Sequence, residues 1–121
     1  MTLSSPSPDP CRGEVWTVGL DPTSGDEMAK TRPCVIIGVD SMRRLLLRVV
    51  IPFTEWKPHF DTAPWHVRVD PTPSNGLAKV SSADANQIRS VSTDRFVRRV
   101  GVLDAASVED IAAAVGIVVG L

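Results

Sequence analysis

The chain has 121 residues, 43% apolar and 22% charged, with a formal net charge of −1 at pH 7. That is enough for one domain with a real core but not for two, and the charge balance excludes a protein held on nucleic acid mainly by bulk charge. A local basic cleft stays open, because Arg43, Arg44 and Arg48 form one cluster and Arg89, Arg95, Arg98 and Arg99 another.

Residues 1–10, MTLSSPSPDP, are Ser/Pro-rich, and their prolines block helix and ladder alike. A disordered tail is expected there, ahead of a single domain over 11–121. The tail lacks the basic start and apolar core of a signal peptide, and no later apolar run is long enough to span a bilayer. A cytoplasmic protein is expected. Cys11 and Cys34 have neither disulfide-framework nor metal-site spacing and fit free thiols in a reducing compartment.

GEVWTVGL (13–20) alternates imperfectly and reads as a strand with Trp16, Val18 and Leu20 on its buried face. DPTSGDEMAKT (21–31) carries Pro, Gly and Ser punctuation and reads as a loop. CVIIGVD (34–40) is nearly continuous β-branched sequence, hence a buried central strand. LLLRVVIPF (45–53) predicts a third strand stopped by Pro52, and TEWKPHFDTAP (54–64) a second long loop. WHVRVD (65–70) alternates again, and PTPSNG (71–76) is turn chemistry. LAKVS (77–81) and VRRVGVL (97–103) read as short strands around 83–96, expected to hold a turn or one helical turn.

The end of the chain, 104–121, reads as a helix. Asp104 can cap it, and Glu109 and Asp110 sit early, where the helix dipole favours carboxylates. Val108, Ile111, Ala112, Val115 and Val119 follow the 3.6-residue period and would pack on the sheet. Ile117 falls opposite that stripe, which suits either a partner subunit or deeper burial. The elements together describe a mainly β fold with a C-terminal α-helix, its strands forming a small barrel-like sheet.

Two residues stand where chemistry could be placed. Arg32 ends the first loop, and Pro33 biases it toward an extended conformation on a rigid element. Its guanidinium presents a planar, permanently charged fork to phosphate oxygens. The plain alternative is an ion pair with Glu27, Asp26 or another surface carboxylate. Thr54 follows Pro52-Phe53, and its hydroxyl can donate to a phosphate, hold a substrate oxygen or simply cap a turn.

Their combination carries a resemblance. RGEVWTVGLDPTSGDEMAKTRPCVII, then VVIPFT, then NQIRSVSTDRFVRRVGVLD, follow in order the pattern of the MazF/PemK family of toxin endoribonucleases. The likeness covers 12–121. It implies a small SH3-like barrel of the MazF/CcdB toxin type, acting as a homodimer that cleaves single-stranded RNA without metal or cofactor. It also implies a cognate MazE-like antitoxin that wraps the dimer and blocks the RNA groove. The family's catalytic arginine corresponds to Arg32, its threonine to Thr54 and its loop acid to Glu27. Its late-turn glutamine falls on Gln87, with Arg89 two residues beyond. Glu55 stands where the family often has Ser, and Asn86 where it tends to have an acid, so no base preference is carried over.

The reaction implied is attack of the RNA 2′-hydroxyl on the adjacent phosphate, leaving a 2′,3′-cyclic phosphate and a 5′-hydroxyl. Arg32 suits the added negative charge and Thr54 a neutral hydrogen bond. No side chain stands out as the base. Arginine is too basic near neutral pH, Glu27 can equally orient Arg32, and His59 is a lone loop histidine without an assigned catalytic role. For RNA contacts the expected residues are Thr31, Glu55, Lys57, His59, Gln87 and Arg89, with Trp56 stacking on a base. Trp56 and Phe60 fit equally well as a satellite core under their loop. Arg43 and Arg44 read as solvated turn charges. Competing readings are a gyrase-poisoning toxin on the same fold and a non-catalytic SH3-like interaction module. The former typically ends in Trp-Gly-Ile, whereas this chain has Val119-Gly120-Leu121.

Overall fold

The computed structural model describes residues 8–121. Among these, the strands are β1 (Glu14–Gly19), β2 (Thr31–Ile36), β3 (Leu47–Glu55), β4 (His66–Val69), β5 (Ser81–Asp84), β6 (Arg89–Ser92) and β7 (Phe96–Val102), and the helix is α1 (Ala105–Val118). The hydrogen-bonded path runs β4-β5-β3-β2-β1-β7, with β6 also paired to β3. Every pairing is antiparallel. Because β4 and β7 end the path without pairing, the sheet is open and the barrel description holds only loosely.

β2 is central, as its composition requires. Cys34 and Ile36 enter one apolar cluster with Val18, Leu20, Val50, Val91 and Phe96. Val35 and Ile37 enter a second with Val15, Ile51, Phe53, Ala83 and Ile111. A strand buried on both faces has no room for polar alternation. β1 is also divided, and this corrects the expected single buried face. Val15 and Val18 both lie fully buried, because the register with β7 shifts between Val15 and Trp16 and again between Thr17 and Val18. Trp16 is half-buried, edge-on to Phe96 with centroids 5.7 Å apart. Burial pushes the Cys34 thiol up to about 12, so this cysteine is packing rather than chemistry.

Pro52 does not stop β3. It pairs with Cys34 at the point where the other neighbour of β3 changes from β6, paired through Val50, to β5, paired from Phe53. β5 begins at Ser81 rather than at 77, and all four of its residues are buried although none is β-branched. The stretch 83–96 holds a whole strand, β6, between 3-10 turns at Ala85–Gln87 and Thr93–Arg95.

Asp104 caps α1, its Oδ2 accepting from the Ser107 N–H at 3.2 Å and its Oδ1 from the Ser107 hydroxyl at 2.6 Å. Val108, Ile111 and Ala114 are the buried positions, with Ala112, Val115 and Val118 packed beside them. Val119 lies past the helix and is exposed, against expectation, while Ile117 is exposed as its place off the stripe requires.

Of the segment 1–10, residues 1–7 lie outside the described ones. Arg48 is buried and gathers the chain start: it donates to Pro10 O at 2.9 Å, Asp9 Oδ1 at 3.0 Å, Leu45 O at 2.7 Å and Leu47 O at 2.8 Å. Arg43 also pairs with Asp9 and holds that carboxyl below its usual range, so it is not a free turn charge.

Candidate active site

β2 and β3 are bonded from the Cys34–Pro52 pair inward. Toward the other end, Pro33 and Pro52 remove donors where the ladder stops, and Thr31, Arg32 and Pro33 pair with β1 alone. The strands part, and a cleft of about 320 Å³ opens between them. Its walls are Arg32 and Pro33 from β2, Phe53, Thr54 and Glu55 from β3, and Lys57, Ala78, Lys79 and Ser81. Arg32 lies two residues beyond Cys34 and Thr54 two beyond Pro52, so the period-2 alternation puts both on one face, opposite each other.

Arg32 is half-buried, and its Nε donates to the Ala29 carbonyl at 3.1 Å. Among the described residues its two Nη groups have no protein partner, so the outer fork is free for an anion. Glu27 does not tether it. The Glu27 carboxylate turns back to accept from the Ser24 N–H at 2.7 Å, closing the turn in which its own N–H donates to Ser24 O at 3.2 Å. An acid three residues after a serine satisfies its own turn more cheaply than it reaches across a loop. Lys79 pairs with Glu55 at 3.4 Å. The cleft thus holds the cations Arg32, Lys57 and Lys79 against the single carboxylate Glu55.

The remaining expected contacts divide. Thr31 is exposed at the start of β2, opposite Gly19. Arg89 is half-buried on β6 opposite Val50, and its charge, like that of Arg32, acts on the buried Cys34. Trp56 meets Phe60 edge-on with centroids at 5.8 Å, and Phe60 stacks on His66 at 3.8 Å. The Arg68 guanidinium sits 5.9 Å from the Trp56 ring centre. Both aromatics therefore pack as a satellite cluster, the second of their two sequence readings. His59 stays exposed at its edge, 4.6 Å from the Phe60 centroid. Gln87 is outside the cleft wall: its Oε1 accepts from Met28 N at 3.0 Å and its Nε2 donates to Asp26 O at 3.1 Å.

Over residues 11–119 the sequence matches the family described as PemK-like, MazF-like toxin of type II toxin-antitoxin system. The chain belongs to this family. Endoribonuclease MazF9 of Mycobacterium tuberculosis is 35% identical over 101 residues, covering 78% of this chain and 83% of its own. Endoribonuclease PemK of Escherichia coli is 42% identical over 60 residues, 49% of this chain and 45% of its own. Among solved structures, MazF from Deinococcus radiodurans superposes with a TM-score of 0.77 at 19% identity, covering 93% of this chain and 97% of that one. An endoribonuclease in complex with its cognate antitoxin from a mycobacterial species gives 0.73 at 20% identity, covering 93% and 96%. At those identities the structures establish the shared fold.

Within this MazF/PemK-family chain, two contributions were invisible to sequence reasoning. Lys79 supplies the cleft wall facing Arg32, yet LAKVS carries no motif. Gln87 bridges 59 and 61 residues back to the β1–β2 loop and clamps it with both ends of its amide. Gln87→Ala is expected to speed amide exchange at Met28 by about 5–30-fold, the loss of one or two hydrogen bonds at ~1 kcal/mol each, while the β2 core amides stay protected. Residue-resolved hydrogen exchange checks this. Unchanged protection at Met28 would mean that the clamp does not hold the loop.

Proposed function

We propose that this chain is a sequence-specific single-strand endoribonuclease, the toxin of a toxin–antitoxin pair. One observation carries the reading: the outer fork of Arg32 is unpartnered and faces Thr54 across a cation-rich cleft where two strands part. The family and its endoribonuclease relatives support it. The RNA 2′-hydroxyl attacks its neighbouring phosphorus, the bond to the 5′-oxygen breaks, and a 2′,3′-cyclic phosphate and a 5′-hydroxyl result. Arg32 stabilises charge growing on the phosphoryl oxygens, and Thr54 holds a reacting oxygen through its hydroxyl. Lys57 and Lys79 attract the flanking phosphates, and Glu55 faces the substrate beside them. Glu27 and Gln87 act at one remove, by shaping the loop that ends in Arg32.

A homodimer and an antitoxin complete the proposal. The exposed Ile117 and Val119 at the end of α1 offer apolar surface for association, and solved neighbours include toxins with antitoxins bound. Two cysteines free in the structure suit a reducing cytoplasm.

The test incubates purified protein with a varied single-stranded RNA pool in EDTA. Cleavage to cyclic-phosphate and 5′-hydroxyl ends is expected, with Thr54→Ala slower by about 10²-fold. An intact pool would defeat the nuclease reading, and cutting by Thr54→Ala at the wild-type rate would move the site elsewhere.

A further inference from the structure

Beside Thr54 the cleft carries one acid, and its partner gives it a fixed pattern of donors and acceptors. Glu55 Oε2 accepts from Lys79 Nζ at 3.4 Å, and both residues line the cleft that also holds Arg32 and Thr54. With the side chains 57% and 65% exposed, the pair adds little to stability, so folding energy is no reason for it. The backbones beneath are held firmly. Glu55 pairs with Ser81, two residues after Lys79. Trp56 N donates to Val80 O at 3.0 Å, and Ser81 Oγ donates to Lys79 O at 2.8 Å.

An ionised carboxylate only accepts, at about four lone-pair sites, and an ammonium only donates, through three N–H groups. Among the described residues neither group has another side-chain partner, so both Glu55 oxygens and two Lys79 donors stay open. Along its outer edge the pair therefore presents a donor, Lys79 Nζ, and then two acceptors, Glu55 Oε2 and Oε1. That is the order on the Watson–Crick edge of cytosine, whose complement is guanine. Guanine offers O6 to Lys79, N1–H to Oε2 and its 2-amino group to Oε1. Uracil matches the first two but sets O2 against Oε1. Adenine and cytosine carry an acceptor ring nitrogen at the centre of the edge, which meets Oε2 in either orientation. Such clashes of like polarity do the rejecting. Pro33, Phe53 and Ala78 add apolar surface to the same cleft for the faces of a base.

We propose that Glu55 and Lys79 form a guanine-reading edge, so that this nuclease cuts single-stranded RNA beside a guanosine. The inference rests on the nuclease reading and deepens it by naming the base. Glu55 follows Thr54 directly, so the guanosine belongs to a nucleotide flanking the phosphate held by Arg32 and Thr54. An unpaired base exposes its Watson–Crick edge and a paired one does not, so the same contact excludes guanines within a duplex. The third Lys79 donor stays available to backbone phosphate.

One substitution reverses the pattern. In Glu55→Gln the amide oxygen takes the Lys79 N–H, which turns the NH2 group to the place of Oε1. The edge becomes donor, acceptor, donor, the complement of uracil, and guanine then sets its 2-amino group against an NH2. Amide and carboxylate share one shape, and the lost ion pair is exposed, so the fold is unaffected.

The test maps cut positions in a varied single-stranded RNA pool, then measures single-turnover rates on one cut site carrying guanosine, inosine or 7-deazaguanosine. Wild-type cuts are expected to share a guanosine at one fixed position. Inosine there, which lacks the 2-amino group, is expected to slow cutting by about 10-fold or more. The 7-deaza analogue, altered only on the Hoogsteen edge, is expected to cut as guanosine does. Glu55→Gln is expected to cut guanosine sites about 10–100-fold more slowly and to favour uridine at that position. Wild-type cuts without a shared guanosine, equal rates for inosine, slowing by the 7-deaza analogue alone, or an unchanged guanosine preference in Glu55→Gln would overturn the guanine edge. Each of these would leave the nuclease reading standing. A wild-type protein that cuts no RNA would remove both.

Discussion

Arg32→Ala is expected to lower the single-turnover rate of RNA cleavage by about 10²–10³-fold while leaving the fold intact. The magnitude is that of removing one preorganised donor set from the place where negative charge develops. The selectivity for activity over stability has a separate origin. The Arg32 side chain makes one hydrogen bond, to Ala29 O, and joins no ion pair among the described residues. Truncation therefore orphans a single carbonyl on a loop rim and costs no more than about 1 kcal/mol. Arg32→Lys separates charge from shape. An ammonium in the cleft retains attraction for phosphate but loses the planar fork, so its rate should fall between those of wild type and alanine. If Arg32→Ala instead cuts at the wild-type rate, the parted strands are a structural seam and the catalytic site lies elsewhere.

That cleft was partly legible in the sequence because proline marks both of its edges. Arg32-Pro33 and Pro52-Phe53-Thr54 announce backbone without donors, and the ladder between β2 and β3 ends at those residues. The continuous run Cys34–Ile37 announced a strand buried on both faces, and Asp104 announced the helix start. What remained hidden shares one physical cause: contacts between residues whose local pattern is uninformative. SSAD forms the buried β5 because β3 pairs with it on one side and β4 on the other, not because of β-propensity. RSVS forms β6 because β3 offers it an edge. Glu27 and Arg32 are close in sequence, but a turn of three residues captured the acid first. Gln87, read as a contact for RNA, meets the loop that precedes Arg32 through bonds no spacing rule could anticipate.

The other wall of the cleft depends on a backbone contact with almost no tolerance, and Gly76→Ala is expected to destabilise the fold by about 3 kcal/mol or more. The turn before β5 is knotted by Asn75, 3% exposed, whose Oδ1 accepts from Thr72 N at 3.1 Å and Leu77 N at 3.0 Å and whose Nδ2 donates to Asp70 O at 2.9 Å. This turn lies directly on β7, with Val102 N donating to Ser74 O at 2.9 Å. A Cβ at Gly76 would stand under 3.0 Å from the Val100 carbonyl oxygen, and one at Gly101 equally close to the backbone of Ser74 and Asn75. Backbone cannot swing aside as a side-chain tip can, so the turn must lift, and the Asn75 bonds lift with it. Gly76 also holds φ at +68°, which alanine adopts only with strain. Gly25 separates the two costs: its φ is +57°, yet nothing lies within 4 Å of its Cβ direction. Gly25→Ala should therefore cost only the strain, about 1 kcal/mol, and urea denaturation of both variants against wild type reads the difference. Equal losses at the two positions would mean that the close approach to β7 carries no energy. The larger loss at Gly76 would mean that the wall bearing Lys79 is held from behind by two glycines, so that mutations far from Arg32 can abolish cutting by letting that wall move.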